Sequence, residues 1–448
     1  MPAVDPFQLV IFLSGLSAAM MICFLYPILG LIAFMSIYLI KPFLLTRMPW
    51  LTGAVGFLVD MGTVALAALS LVFYHWKVPP GRRKMTSYTV VVCLFFVALW
   101  VWLRYPATRF PEYGIKKALI FSIFDVSVVL LGMYWTRGLM EARKIIRALF
   151  FLGIMVGAGT VFLGRAIAEN EGARISFAYS NPLAPADFSS YLIIVSVCYW
   201  LTGKTARRAV VAIALSILGL AAVFRTGTRG PVFVIPPVLL VVFYFYRRTV
   251  NLKLVIQIML VLAVLYGAIT VIRQQGLIGE RFQSKDVEAG FMIRLKMMKM
   301  TLMGWLENPI LGTGPGDTSI QIEAEGEGYP HNLVLEVLSE LGLVGFIPFL
   351  FLITKPLSGW RYLTSEHFEN TDLKSVYVPI WACYFMAFIS TFKMGGYAGS
   401  NMFYFFVGAS LSLEMLCRQS LEQAFWKQQS EFIRRDEIVE NHQYVFES

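Results

Sequence analysis

Residues 308–354 read NPILGTGPGDTSIQIEAEGEGYPHNLVLEVLSELGLVGFIPFLFLIT. The stretch changes character once. A polar, glycine-rich segment ends at His331, and from Asn332 to Thr354 the chain is apolar almost without break. A bilayer core of about 30 Å is crossed by roughly 20 residues of helix. The second half therefore predicts a membrane-spanning helix, and the first half predicts a long loop that delivers a histidine to its start. Similar apolar runs recur at 7–25, 27–45, 51–74, 88–103, 118–136, 148–164, 188–202, 209–224, 231–246, 254–272, 376–392 and 399–416. They are continuously apolar rather than alternating, so they read as helices and not as strands of a barrel. The expected fold is all-α, a polytopic helical bundle of twelve or thirteen spans. The first two runs meet at Tyr26-Pro27, which leaves open whether they form two short helices or one broken one.

Composition excludes the soluble classes. Of 448 residues 57% are hydrophobic and 15% charged, with a mean hydropathy of +0.66; soluble domains carry about 25% charged residues. The net charge of +10 does not indicate nucleic acid, because the basic residues are clustered between apolar runs. Clusters at 77–84, 137–147, 204–208 and 247–253 alternate with the spans as cytoplasmic loops should. Loops 104–117, 165–187, 225–230, 273–331 and 393–398 then share the opposite side. The N-terminus is cytoplasmic only if there are twelve spans. It shows neither a basic region nor a small-residue cleavage site before its apolar run, so no cleaved signal peptide is expected. The five cysteines, at 23, 93, 198, 383 and 417, have no metal or disulfide spacing and read as packing residues. Four parts are expected: N-terminal spans 1–164, a core 165–353 containing the long loop, C-terminal spans 354–416, and a cytoplasmic tail 417–448.

Chemistry concentrates on the outer side. His331 is one of four histidines and is the first choice for proton transfer near neutral pH. Arg225 and Arg229 flank the tight turn RTGTRGP, where positive charge opposes the topological bias. Permanently charged, forked guanidinium groups there suit a diphosphate. Arg174, Arg281 and Arg294 lie in the other outer loops, with Arg294 on an expected amphipathic surface helix over 291–305 beside Lys296 and Lys299. Gly312, Gly314 and Gly316 lack the preceding strand and following lysine of a nucleotide loop; they read as a tight turn. Asn332, Glu336 and Glu340 recur every four residues on one helix face, placed to orient the imidazole, to bind sugar hydroxyls or to line an interface. Asp60 and Asp125 fall within spans, where a carboxylate is a functional candidate.

Taken in order, the segments Arg174…Ser180-Asn181-Pro182, Thr226-Gly-Thr-Arg-Gly230, Arg294…Trp305…Asn308-Pro-Ile-Leu-Gly-Thr-Gly-Pro-Gly316 and Pro330-His331-Asn332…Glu336…Glu340-Leu-Gly342 resemble the bacterial O-antigen ligase and O-antigen polymerase superfamily. The likeness covers roughly 174–350 and departs from the family at Leu183, where a second asparagine is usual. It implies a metal-independent glycosyltransferase of the GT-C type, without cofactor, at the periplasmic face of the bacterial inner membrane. The implied donor is a glycan on undecaprenyl diphosphate. The implied acceptor is a lipid-linked repeat unit for a polymerase, or a lipid A-core sugar for a ligase; membrane lipid and a chain-length regulator complete the partners, and nucleic acid is not among them. His331 resembles the family's catalytic histidine; Arg174 and Arg229, and less closely Arg294, resemble its arginines. Between 273 and 330 six basic and eight acidic residues give a net −2, which does not favour an anionic acceptor and leans the reading towards a polymerase. The alternative from another class is a transporter of an anionic or lipid-linked substrate, coupled through Asp60 or Asp125; no internal repeat of the kind many transporters carry is visible.

Overall fold

The computed structural model describes residues 25–48, 54–77, 87–166, 175–177, 180–203, 205–247, 284–318, 332–365, 372–394 and 396–446, with a few isolated residues between 14 and 21. The expected span 254–272, most of 7–25, and the residues Arg174, Arg281 and His331 lie outside that set. Helices dominate. In chain order they are α1 (Pro27–Met35), α2 (Ile37–Arg47), α3 (Ala54–Lys77), α4 (Tyr88–Arg104), α5 (Pro111–Trp135), α6 (Leu139–Leu163), α7 (Leu183–Gly203), α8 (Ala206–Arg225), α9 (Arg229–Phe245), α10 (Ser284–Glu307), α11 (Leu333–Leu363), α12 (Asp372–Met394) and α13 (Asn401–Phe446). The one ladder among the described residues is two residues long, pairing Arg165 with Ser176. Seven of the helices are long and apolar enough to cross a membrane, and α1 with α2 forms a pair bent by 74°. The protein is an all-α polytopic membrane bundle.

Boundaries differ from the apolar runs for identifiable reasons. The span expected at 118–136 starts at Pro111, because proline is favoured in a first helical turn. The span expected at 148–164 starts at Leu139 and carries Arg143, Lys144 and Arg147 within its helix rather than in a loop. The last run, 399–416, opens a helix that continues unbroken through the polar tail to Phe446. One hydrophobic core extends from Leu31 to Cys417. Helices α5 and α13 approach closely enough that a Cβ on Gly132 would lie 2.2 Å from the Phe405 carbonyl oxygen, the small-residue contact by which helices associate where burial from water gives no drive.

The decisive irregularity lies in α11. Gly342 has φ +64° and ψ −174° inside the helix and breaks its hydrogen-bond ladder. Backbone groups freed at membrane depth must be satisfied by protein. The segment 308–318, here called the clip, supplies the partners. Thr313 N–H donates to the Ser339 carbonyl at 2.9 Å, and Gly314 N–H to the Glu340 carbonyl at 2.9 Å. In the other direction Leu343 N–H donates to the Pro309 carbonyl at 3.0 Å, and Val344 N–H to the Ile310 carbonyl at 3.2 Å. The Leu341 carbonyl accepts from Trp100 Nε1 at 2.8 Å. Close approach demands glycine on both sides: a Cβ on Gly312 would meet the Glu340 carbonyl oxygen at 2.4 Å, and one on Gly342 the Ile310 carbonyl oxygen at 2.3 Å.

Gly342→Ala should therefore destabilise the protein strongly. The positive-φ, extended-ψ conformation alone costs a residue with a side chain roughly 1–3 kcal/mol, before the clip is displaced. The thermal unfolding midpoint in detergent should fall well below that of Gly62→Ala, whose new methyl meets nothing within 4 Å. Equal midpoints would show that the clip does not hold the break.

Candidate functional site

The clip is fixed from three directions, all from helix ends or turns on one end of the bundle. Arg104, one turn beyond Trp100 on α4, donates from Nη2 to the Gly312 carbonyl at 2.6 Å. Arg109 forks onto Asp317, Nε to Oδ1 at 3.0 Å and Nη2 to Oδ2 at 2.6 Å. Thr318 Oγ1 donates to Ser339 Oγ at 2.7 Å. Gly312, Gly314 and Gly316 all have positive φ, at +78°, +103° and +81°, a conformation that L side chains adopt only at a cost.

Beneath the clip lies a buried ion cluster. Lys117 of α5 donates to Glu336, and at 2.9 Å to Glu340 Oε1. The remaining carboxylate oxygens are also used. Glu340 Oε2 accepts from Gly316 N–H at 2.8 Å, and Glu336 Oε2 from Tyr397 N–H at 3.1 Å. The Lys117 ammonium sits 4.5 Å from the Tyr397 ring centroid, a cation–π contact. Burial, then the charges of Glu340 and Glu336, push the Tyr397 phenol well up from its ordinary range. Two carboxylates thus share one ammonium, and the cluster joins α5, α11, the clip and the loop before α13. Glu336 and Glu340 share one face of α11, turned into this cluster and not towards open space. Asn332 acts as the N-cap of α11, its Oδ1 accepting from Leu335 N–H at 3.1 Å, the expected use of asparagine at that position.

The arginine turn is linked to this cluster through the loop before α13: Pro231 lines one cavity with Gly399 and Ser400, and Tyr397 of the same loop holds Glu336. Thr226 Oγ1 donates to Thr228 Oγ1 at 3.0 Å, and Thr228 Oγ1 reaches the Pro182 carbonyl at 3.4 Å. This ties the 225–230 turn to the Asn181-Pro182 segment. Arg225 donates to the Val161 carbonyl, in a π-helical stretch of α6, Gly159–Leu163, where the wider turn lies outside the usual ladder. One of its donors is thus committed to backbone. Arg229, the first residue of α9, is half-buried. Arg294 is half-buried on α10, which packs on α11. On α10, Met297 and Thr301 are buried while Met292, Leu295, Met303 and Leu306 are exposed, an apolar outer surface suited to lipid.

Sequence reasoning placed loops 104–117, 165–187, 225–230, 273–331 and 393–398 on one side, and the described parts of these loops converge at one end of the bundle. It did not find Lys117, Arg109, Asp317 or Tyr397. The signal available was the charged pair Lys116-Lys117 beside an apolar run, opposite an unpaired stripe of carboxylates. Of the two carboxylates within spans, Asp60 pairs with Lys41 at 2.6 Å, while Asp125 Oδ2 accepts from Gly399 N–H at 2.8 Å and its Oδ1 is buried without a hydrogen-bond partner among the described residues.

Residues 214–350 match the family model described as O-antigen ligase. The segment is similar to the O-antigen ligase family over just under a third of the chain. It takes in the arginine turn, α10, the clip and the broken half of α11, and leaves Arg174 and Asn181-Pro182 outside its limits. A comparison with curated proteins gives no match. Together with the apolar helices of the bundle, this likeness supports a multi-pass membrane protein of a glycosyl-transferring class.

Lys117→Met should strand two buried carboxylates and cost about 3–5 kcal/mol, read as a large drop in the unfolding midpoint. Adding Glu336→Gln and Glu340→Gln removes the unpaired charge and should recover most of it. A single mutant as stable as wild type would show that the cluster contributes nothing.

Proposed function

We propose that the protein transfers a glycan from undecaprenyl diphosphate to a sugar hydroxyl at the periplasmic face of the inner membrane, as a polymerase of O-antigen or exopolysaccharide repeat units. The observation that carries this reading is the convergence, at one end of the bundle, of the arginine turn at Arg229 with the clip and the capped start of α11. His331 immediately precedes that cap in the chain. In this reading His331 takes the proton of the acceptor hydroxyl as it attacks the anomeric carbon. The bond from that carbon to the diphosphate oxygen breaks, and undecaprenyl diphosphate leaves with its electron pair. Arg229, with Arg174, Arg225 and Arg294, stabilises the charge that grows on the leaving diphosphate. The N-terminal turn of α9 adds its positive end at the same place. Apolar helix faces hold the polyprenyl chain. The sugar–phosphate bond supplies the driving force, so no nucleotide is needed.

Purified protein in liposomes, given lipid-linked repeat units, should lengthen the glycan and release undecaprenyl diphosphate. Neither product, with lipid-linked and lipid A-core acceptors both present, would overturn the reading. Transfer only to lipid A-core would make the protein a ligase. His331→Ala should lose roughly 10²–10⁴-fold in turnover while donor binding is retained; an active variant would remove the base role. Arg229→Ala should weaken donor use about ten- to a hundredfold, far more than Arg281→Ala, and equal effects would remove the diphosphate assignment.

A further inference from the structure

A cavity of about 240 Å³ opens between the start of α7, the end of α12 and the loop 396–400. Its wall includes Pro231, two residues beyond Arg229 in α9. The polar side chains that line it are Tyr38, Asn181, Asp187, Tyr191, Ser390, Thr391 and Ser400. Asp187 is the informative one. It lies in the first turns of α7, half-buried, and makes no hydrogen bond or ion pair among the described residues. The other carboxylates named above each have a partner on at least one oxygen: Asp60 has Lys41, Asp125 has Gly399, Asp317 has Arg109, and Glu336 and Glu340 have Lys117; Asp125 Oδ1 stays buried without one, but Asp125 does not line this cavity. An unpaired carboxylate in such a setting is costly and marks a functional site.

The chemistry of the lining selects the ligand. A carboxylate repels phosphate, so this cavity does not hold the diphosphate itself. No group of three metal-binding side chains occurs among the described residues, which gives a cation little to bind. A carboxylate accepts from two adjacent hydroxyls at once. The Asn181 side chain already accepts from Leu183 N–H through Oδ1 at 3.0 Å, which leaves its amide as a donor. Phe403 and Met402 supply apolar wall for the C–H face of a ring. The volume falls just below the range of about 300–1,000 Å³ that encloses drug-sized ligands, and so suits a single sugar unit rather than a whole repeat.

We propose that this cavity is a sugar subsite, in which Asp187 accepts hydrogen bonds from hydroxyls of the sugar attached directly to the diphosphate. The inference rests on the transferase reading, which puts the diphosphate at Arg229. It adds what that reading lacks: a contact that distinguishes a loaded carrier lipid from the bare carrier released by the reaction.

The test compares two probes on the full-length protein in nanodiscs: lipid-linked repeat units extracted from the source cells, and undecaprenyl diphosphate alone. Wild type should bind the loaded lipid more tightly. Asp187→Asn should lose about tenfold in affinity for it and bind the bare lipid as before. Thr391→Val, on α12, should show a smaller loss of the same selectivity, with an unchanged unfolding midpoint. Unchanged affinity for both probes in Asp187→Asn would overturn the subsite, and so would equal weakening for both, which would mark a structural role. If wild type binds neither probe, the transferase reading itself fails; if Arg229→Ala weakens both probes while Asp187→Asn weakens neither, that reading stands and the subsite alone falls.

Discussion

A broken helix inside a membrane protein exposes peptide groups that nothing but protein can satisfy. In α11 the break at Gly342 frees carbonyls at Ser339, Glu340 and Leu341 and amides at Leu343 and Val344, and each has a partner in the clip or in Trp100. The clip can lie that close only because Gly312 and Gly342 have no side chains. From this one requirement much else follows. The clip is buried from Gly312 to Thr318, so the polar groups of that half need anchors, and Arg104 and Arg109 provide them. Its turn directs Gly316 N–H at Glu340, so the ion cluster and the clip are parts of one polar unit.

That unit is a compromise between stability and placement. A buried ion triad of this kind gives little net stabilisation against an apolar packing of similar shape. What it supplies is a fixed geometry at one end of the bundle, where α5, α11 and the loop before α13 would otherwise meet through apolar side chains that can slide. The start of α11 is thereby held at a defined position relative to the arginine turn, and a transfer reaction depends on such placement to about an ångström.

Much of this was legible in the sequence, and the exceptions have physical causes. Continuous apolar runs announced the helices, because that signal is local and set by the bilayer. The turn Thr226 to Gly230 and the glycines of the clip were visible for the same reason. The break at Gly342 was not, since Leu-Gly-Leu-Val-Gly reads as ordinary helix until a segment some thirty residues earlier docks against it. Lys117 was invisible as a site residue because its partners lie 219 and 223 positions away. Asp187 sat at the edge of an expected span, and only the cavity beside it shows that its carboxylate has been left open.

The anchoring of the clip has a consequence for modularity. The segment that carries the family likeness, 214–350, contains the clip and the broken helix but none of the four side chains that complete them. Trp100, Arg104, Arg109 and Lys117 all come from a stretch well before it, outside the family match. The shared segment is therefore not an autonomous unit that could be grafted onto another bundle. Divergence in the preceding helices is constrained wherever it touches these four positions, and a chimera that exchanges the family segment alone must bring its own counterparts or leave the membrane-embedded backbone unsatisfied.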